Sequence, residues 1–224
     1  MTSALERLRK AVGESANPDK KKPSAILGFE KISRYWDKHI EYYGAKILPG
    51  EYYVTKNDEF IITVLGSCIS ACIWDEVAGV GGMNHFMLPD GDDSGAWRSS
   101  SNSAPARYGN IAMERLVNDI LKNGGKKERL KVKIFGGGQM LKMMTDIGQR
   151  NILFVEDYIR TEGLNKVGED VGNVYPRKVM FFPKSGRVRL KRLQSVESGS
   201  VARRESDYLK RVKKEPDTGS VELF

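Results

Sequence analysis

Cysteine and histidine are scarce in this chain, with two of each among 224 residues. That scarcity excludes a disulfide-stapled scaffold and argues against a four-ligand structural zinc site. The two thiols, Cys68 and Cys72, stand four positions apart. On a strand they would be about 13 Å from each other at ~3.3 Å per residue, too far to bridge. On a helix they would come nearer, but the link would close a tiny loop and constrain little. Both are expected to be free, as in a reducing cytoplasm. Long apolar runs are also missing. The longest uncharged stretch, 60–74, is interrupted by Thr63, Gly66, Ser67 and Ser70, and it falls short of the roughly 20 residues of a membrane helix. The first ten residues are charged and have no apolar centre, so they do not read as an export signal. A cytoplasmic protein without membrane insertion is expected. Acidic residues are in deficit, 29 against 37 basic ones, for a formal charge of +8. That balance favours an anionic partner without choosing among nucleic acid, lipid and acidic protein.

At 40% hydrophobic residues, the chain can build one compact domain with extensions. Leu5, Leu8 and Val12 have helix-like spacing, and the lysine run at 20–22 between Pro18 and Pro23 reads as a flexible linker. A short helix is expected around Phe29 to Tyr43. Strands are predicted at 51–55, 60–65, 69–75 and 80–88, the last ended by Pro89. Residues 90–105, rich in Ser, Gly and Asp, form a long loop of a length that is usually functional. The apolar stripe Ile111, Met113, Leu116, Val117, Ile120 and Leu121 predicts a helix over 108–123, stopped by Gly124 and Gly125. A strand at 130–135 leads into three glycines, followed by helices at 139–147 and 151–162 and a strand at 164–167. Segments 178–182 and 187–193 read as a hairpin around Lys184, Ser185 and Gly186. The class is mixed α/β. The domain boundaries expected are an N-terminal extension at 1–46, a core at 47–193 and a charged, disordered or loosely helical tail at 194–224.

Cys68 closes the segment Leu65-Gly66-Ser67-Cys68 just after a strand. Gly66 and Ser67 form a bend that can bring the backbone close to a substrate and turn amides towards an oxyanion. A plain buried thiol has about even odds on position alone. Cys72, between Ala71 and Ile73, is better read as core. A nucleophilic cysteine needs a base, and only His39 and His85 are available. His39 lies in a charged, weakly patterned region. His85 lies on a strand expected to pair near the one carrying Cys68, although a lone histidine is more often structural. The glycines at 136–138 lack a nucleotide-binding pattern and read as a tight turn before a helix. The basic tail has no interleaved aromatics, so no specific nucleic-acid interface is read from it.

Gly50-Glu51-Tyr52, Thr63-Val64-Leu65-Gly66-Ser67-Cys68, Asp75 and Gly81-Gly82-Met83-Asn84-His85-Phe86-Met87-Leu88-Pro89 resemble the CheD chemotaxis family. Arg107-Tyr108-Gly109, Lys133 to Gly138, Asp170-Val171-Gly172 and Arg177-Lys178-Val179 follow in the family's order. The resemblance runs from about Gly50 to Leu193, and the extensions go beyond it. It implies an α/β sandwich of β-sheets flanked by helices, similar to the catalytic domain of the cytotoxic necrotizing factor toxins. It implies hydrolytic deamidation of glutamines on methyl-accepting chemotaxis receptors, with Cys68 as nucleophile, His85 as base and Thr63 as third member. It also implies a CheC-type phosphatase as a further partner, and no metal or organic cofactor. Three other readings remain open: a cysteine peptidase or transglutaminase-like acyl transferase, a non-enzymatic adaptor, and last a nucleic-acid binder.

Overall fold

The computed structural model describes residues 21–89, 104–140, 145–193 and 195–214. The helix-like spacing before residue 21, most of the long loop and the last ten residues lie outside the described residues.

Among the described residues ten strands make two five-stranded sheets. The first contains β1 (Ser33–Asp37), β2 (Tyr42–Lys46), β4 (Glu59–Leu65), β9 (Arg177–Phe182) and β10 (Arg187–Arg192), in that order across the sheet. The second runs β3 (Tyr52–Thr55), β6 (Val80–Asn84), β5 (Ile69–Asp75), β7 (Lys131–Gly136) and β8 (Asn165–Val171). Helices α1 (Ala104–Lys122) and α2 (Thr145–Thr161) pack on the second sheet, and α2 makes the crossover between the parallel strands β7 and β8. A third helix, α3 (Ser195–Lys214), ends the described chain. The class is thus an α/β sandwich.

Burial follows the strand period of two. In β4, Ile61 and Leu65 join the main core between the sheets, while Phe60 and Ile62 pack with Phe182 on the opposite face. β5 lies inside the second sheet and is buried at every residue. That accounts for its largely apolar character, Ile69 to Trp74, in which the one hydroxyl, on Ser70, donates to the carbonyl of Asn84.

Three sequence expectations are corrected. Residues 33–46 are not a helix outside the domain but a hairpin, and β2 pairs in parallel with β4. The aromatic and β-branched content of this stretch suits a pleated surface, and Trp36 and Tyr43 stack edge to face at 5.1 Å. Secondly, where two short helices were expected at 139–147 and 151–162, residues 145–161 are the single α2; Gln139 and Met140 are non-helical, and 141–144 lie outside the described residues. Finally, of the two readings of the tail, disordered or loosely helical, residues 195–214 take the helical one, and the helix is docked rather than loose. Val201, Ala202, Glu205, Tyr208 and Leu209 are buried along one face. Tertiary docking supplies what the charged composition lacks.

Candidate active site

The bend after β4 and the end of β6 meet through one backbone bridge. Ile69 and Phe86 exchange both hydrogen bonds, at 2.9 and 3.0 Å, which sets Cys68 and His85 beside the same junction. The backbone of His85 is fixed from the other side. Its amide donates to the carbonyl of Glu51 and its carbonyl accepts from the amide of Gly50. Cys68 is fully buried and His85 is 2% exposed. Sγ of Cys68, a ring nitrogen of His85 and a carboxylate oxygen of Glu205 lie within 4.8 Å of one another. His39, the other histidine, is exposed on the β1–β2 turn and takes no part.

Thr63 sits on the inner face of β4, 3% exposed, with its hydroxyl 2.7 Å from Nδ1 of His85. The same hydroxyl donates to the carbonyl of Ile47 at 2.8 Å. A threonine has one hydroxyl proton. With that proton committed to Ile47, Nδ1–H of His85 donates to Thr63 and Nε2 keeps its lone pair. Among the described residues Nε2 has no hydrogen-bond partner. The pair Thr63–Ile47 therefore fixes the tautomer a general base requires.

The bend itself is held by its carbonyls. That of Gly66 accepts from the amide of Gly138 at 2.7 Å, that of Cys68 from the amide of Gly137 at 2.7 Å, and that of Ser67 from Nδ2 of Asn151 at 2.8 Å. In a trans peptide the N–H points opposite to the C=O. Tying down the carbonyls of Gly66 and Ser67 thus aims the amides of Ser67 and Cys68 to the other side. Those amides, with that of Gly66, converge on the carboxylate of Glu205. Gly66 N and Cys68 N donate to Oε1 at 2.8 and 3.1 Å, and Ser67 N and Oγ donate to Oε2, both at 2.7 Å. Such a convergence of N–H groups has the chemistry to hold a negatively charged oxygen.

Two glycines allow this approach. A side chain at Gly66 would stand 2.7 Å from Oε2 of Glu205, and one at Gly136 (φ +116°) would stand 2.1 Å from the carbonyl oxygen of Cys68. Asn151, fully buried on α2, also accepts the amide of Leu88 through Oδ1, and so ties the cysteine bend to the segment just past His85. Arg177, equally buried, donates to the carbonyls of Gly136 and Gly172 at 2.6 Å and steadies the glycine turn.

Sequence reasoning named Thr63, Gly66, Ser67, Cys68 and His85, and the fold brings all five together. It missed Asn151, the work of Gly137 and Gly138, and Glu205. Only Glu205 had a legible signal: an acid in the middle of the apolar stripe Val201, Ala202, Tyr208, Leu209.

Burial pushes the Cys68 thiol well above its ordinary value, reinforced by the charge of Glu205 and its hydrogen bond. Burial also depresses His85 to about 4, opposed by Glu205 and aided by Arg204. At neutral pH the enclosed pair is a thiol facing a neutral imidazole. Thiol, imidazole and carboxylate could in principle ligate a metal ion, but both oxygens of Glu205 are already engaged by amide and hydroxyl donors.

Comparison with known proteins identifies the family of the chain. The family model described as CheD chemotactic sensory transduction matches residues 87–192. A protein of Halorhodospira halophila is 52% identical over 203 residues, covering 90% of this chain and 94% of its own length. One from Hydrogenovibrio crunogenus is 55% identical over 179 residues, or 80% of this chain and 93% of its own. One from Saccharophagus degradans is 45% identical over 215 residues, 95% of this chain and 99% of its own. Each is named a probable chemoreceptor glutamine deamidase CheD. The last match is long enough to take in α3, so the likeness is not confined to 50–193. With identity at this level over nearly its whole length, the chain belongs to the CheD family.

Proposed function

We propose that this protein is a chemoreceptor glutamine deamidase, hydrolysing receptor glutamine side chains to glutamate with release of ammonia. One observation carries the reading: an enclosed thiol beside a tautomer-fixed imidazole, at a bend whose amides converge on a carboxylate. Relatives sharing about half the sequence carry that activity in their names.

Nε2 of His85 takes the proton of Cys68, and the thiolate attacks the side-chain carbonyl carbon of the glutamine. The amides of Ser67 and Cys68 receive the developing oxyanion. His85 returns its proton to the departing ammonia, leaving a thioester, and then activates the water that releases glutamate. Thr63 holds the ring throughout. No step calls for a metal or an organic cofactor. The +8 charge would draw the enzyme to acidic receptor helices in the cytoplasm, less strongly at high salt. Among the described residues no helix is long and apolar enough to cross a membrane. A CheC-type phosphatase belongs to the proposal as a further partner on the strength of the family resemblance.

One observation favours the adaptor reading instead: Cys68 is fully enclosed. The test is mass spectrometry of a receptor cytoplasmic fragment incubated with the protein or with Cys68→Ala. A gain of about one dalton at particular glutamines, absent with the variant, is expected. No gain with either protein across several receptors leaves the adaptor reading in possession.

A further inference from the structure

A glutamine carried by another protein cannot reach Cys68 in the arrangement described, because Glu205 of α3 stands in the site. Glu205 lies 137 to 139 positions from the amides it engages, so no local turn explains the contact. A glutamate side chain is also what deamidation makes of a glutamine. We infer that α3 is an internal product mimic, which holds the enzyme closed until a helix bearing the substrate glutamine displaces it. The catalytic half of this inference rests on the deamidase reading; the enclosure of Cys68 does not.

The donor pattern favours a carboxylate over a carboxamide. Oε1 receives two N–H groups and Oε2 receives an N–H and a hydroxyl. A glutamine placed identically would set its NH2 against the amide of Ser67 or of Gly66 and Cys68, donor facing donor. The groove thus holds product-like side chains well, and a product mimic can rest there without being consumed.

The rest of α3 is built to dock and to leave. Val201, Ala202, Tyr208 and Leu209 flank Glu205 at helical spacing and are buried, while Arg203, Arg204, Asp207 and Lys210 are exposed. Tyr208 reaches the hydroxyl of Tyr108 and packs where a side chain on Gly50 would stand 2.9 Å from its own hydroxyl. Gly50 also holds the backbone of His85, so the helix presses on both sides of the catalytic junction. Its N-terminal part carries Ser195, Ser198, Gly199 and Ser200, weak helix formers, and nothing lies within 4 Å of where a side chain on Gly199 would be. A helix of this composition owes its order to docking and loses it when displaced. The groove's occupant is a helix presenting a side chain of glutamate length, which a helical receptor segment can also supply.

The full-length protein tests this in two variants. In Glu205→Gln the carboxamide is held less firmly than the carboxylate, and whenever the helix seats it the Cys68 thiolate attacks its carbonyl carbon. The C–N bond breaks, ammonia leaves with a proton from His85, and water cleaves the thioester to restore the thiol and leave glutamate at 205. Peptide mass mapping should show a gain of about one dalton at residue 205, absent when Cys68→Ala is combined with it. In Glu205→Arg the helix cannot seat, and iodoacetamide should alkylate Cys68 roughly tenfold faster than in the wild type. Cys72 staying unlabelled would show that the fold is intact. Receptor deamidation should rise in parallel. Equal alkylation of Cys68 in the wild type and Glu205→Arg overturns the product-mimic inference whatever the activity. Faster alkylation with no deamidation by either protein upholds the enclosure and sinks the deamidase reading alone.

Discussion

Cys68 and Cys72 are both free, both fully buried, and four residues apart, yet they occupy unlike chemistry. Cys72 lies in the middle of the second sheet, opposite Met83 on one side and Lys133 on the other. Burial raises its thiol, against small opposing effects of Lys133 and Ser70. Cys68 stands one residue before β5, where the backbone has left the ladder and its amide is free to point at a ligand. Burial raises this thiol too, but a base and an oxyanion site lie beside it. Exposure does not separate the two cysteines. Their neighbours do, and those neighbours come from β4, β6, α2 and α3.

The sharpest way to break the comparison is to remove each thiol in turn. Cys68→Ala should lower the deamidation rate by at least about 10³-fold, the usual cost of losing a nucleophile. Cys72→Ala should leave the rate within about twofold and cost only about 1 kcal/mol of stability, as a small core truncation does. Ammonia release and denaturant unfolding report the two numbers. Equal loss of activity in both variants would mean that the sheet, not the thiol, carries the chemistry.

A smaller effect is expected one step out from the cysteine. Thr63→Val keeps the strand and the shape but removes the acceptor for Nδ1–H, freeing the ring to adopt the wrong tautomer. The turnover number should drop by about 10 to 100-fold with KM little changed, and Thr63→Ser should restore most of it. A valine variant with unaltered turnover would reduce Thr63 to a core residue.

The last effect is on stability rather than turnover. The ordinary value of histidine is 6.5, and burial brings folded His85 to about 4. Between these values the unfolded chain binds the extra proton, so stability is complete above about pH 6.5 and is lost as pH falls towards 4. The loss over the whole window is about 3 kcal/mol. Unfolding midpoints measured from pH 7 to 5 should fall less in His85→Gln than in the wild type. Parallel slopes would remove His85 from the account.

Much of the site was legible because its elements are local. Gly66-Ser67-Cys68 after an apolar strand and His85 before Pro89 are written in adjacent segments, and the hairpin between them is short. Strands β3 to β7 followed from β-favouring runs closed by turn residues, and α1 from an apolar stripe. The hairpin of residues 33–46 did not, because its pattern is weak and its partner β4 lies beyond an intervening strand. The docking of α3 was missed for a different reason. High charge reads as a solvated tail, and a buried acid in an apolar stripe looks like noise until the donors that satisfy it are known.

The sequence by itself determined the chemistry available: one thiol at a glycine bend and one histidine on a neighbouring strand. The tertiary structure decided how that chemistry is poised. Only the fold could bring Asn151 and the glycine turn against the carbonyls of the bend, since hydrogen bonds across 69 to 84 positions leave no local pattern. Only the fold could close the site with Glu205, because a carboxylate is buried where several donors converge, and convergence is a property of three dimensions.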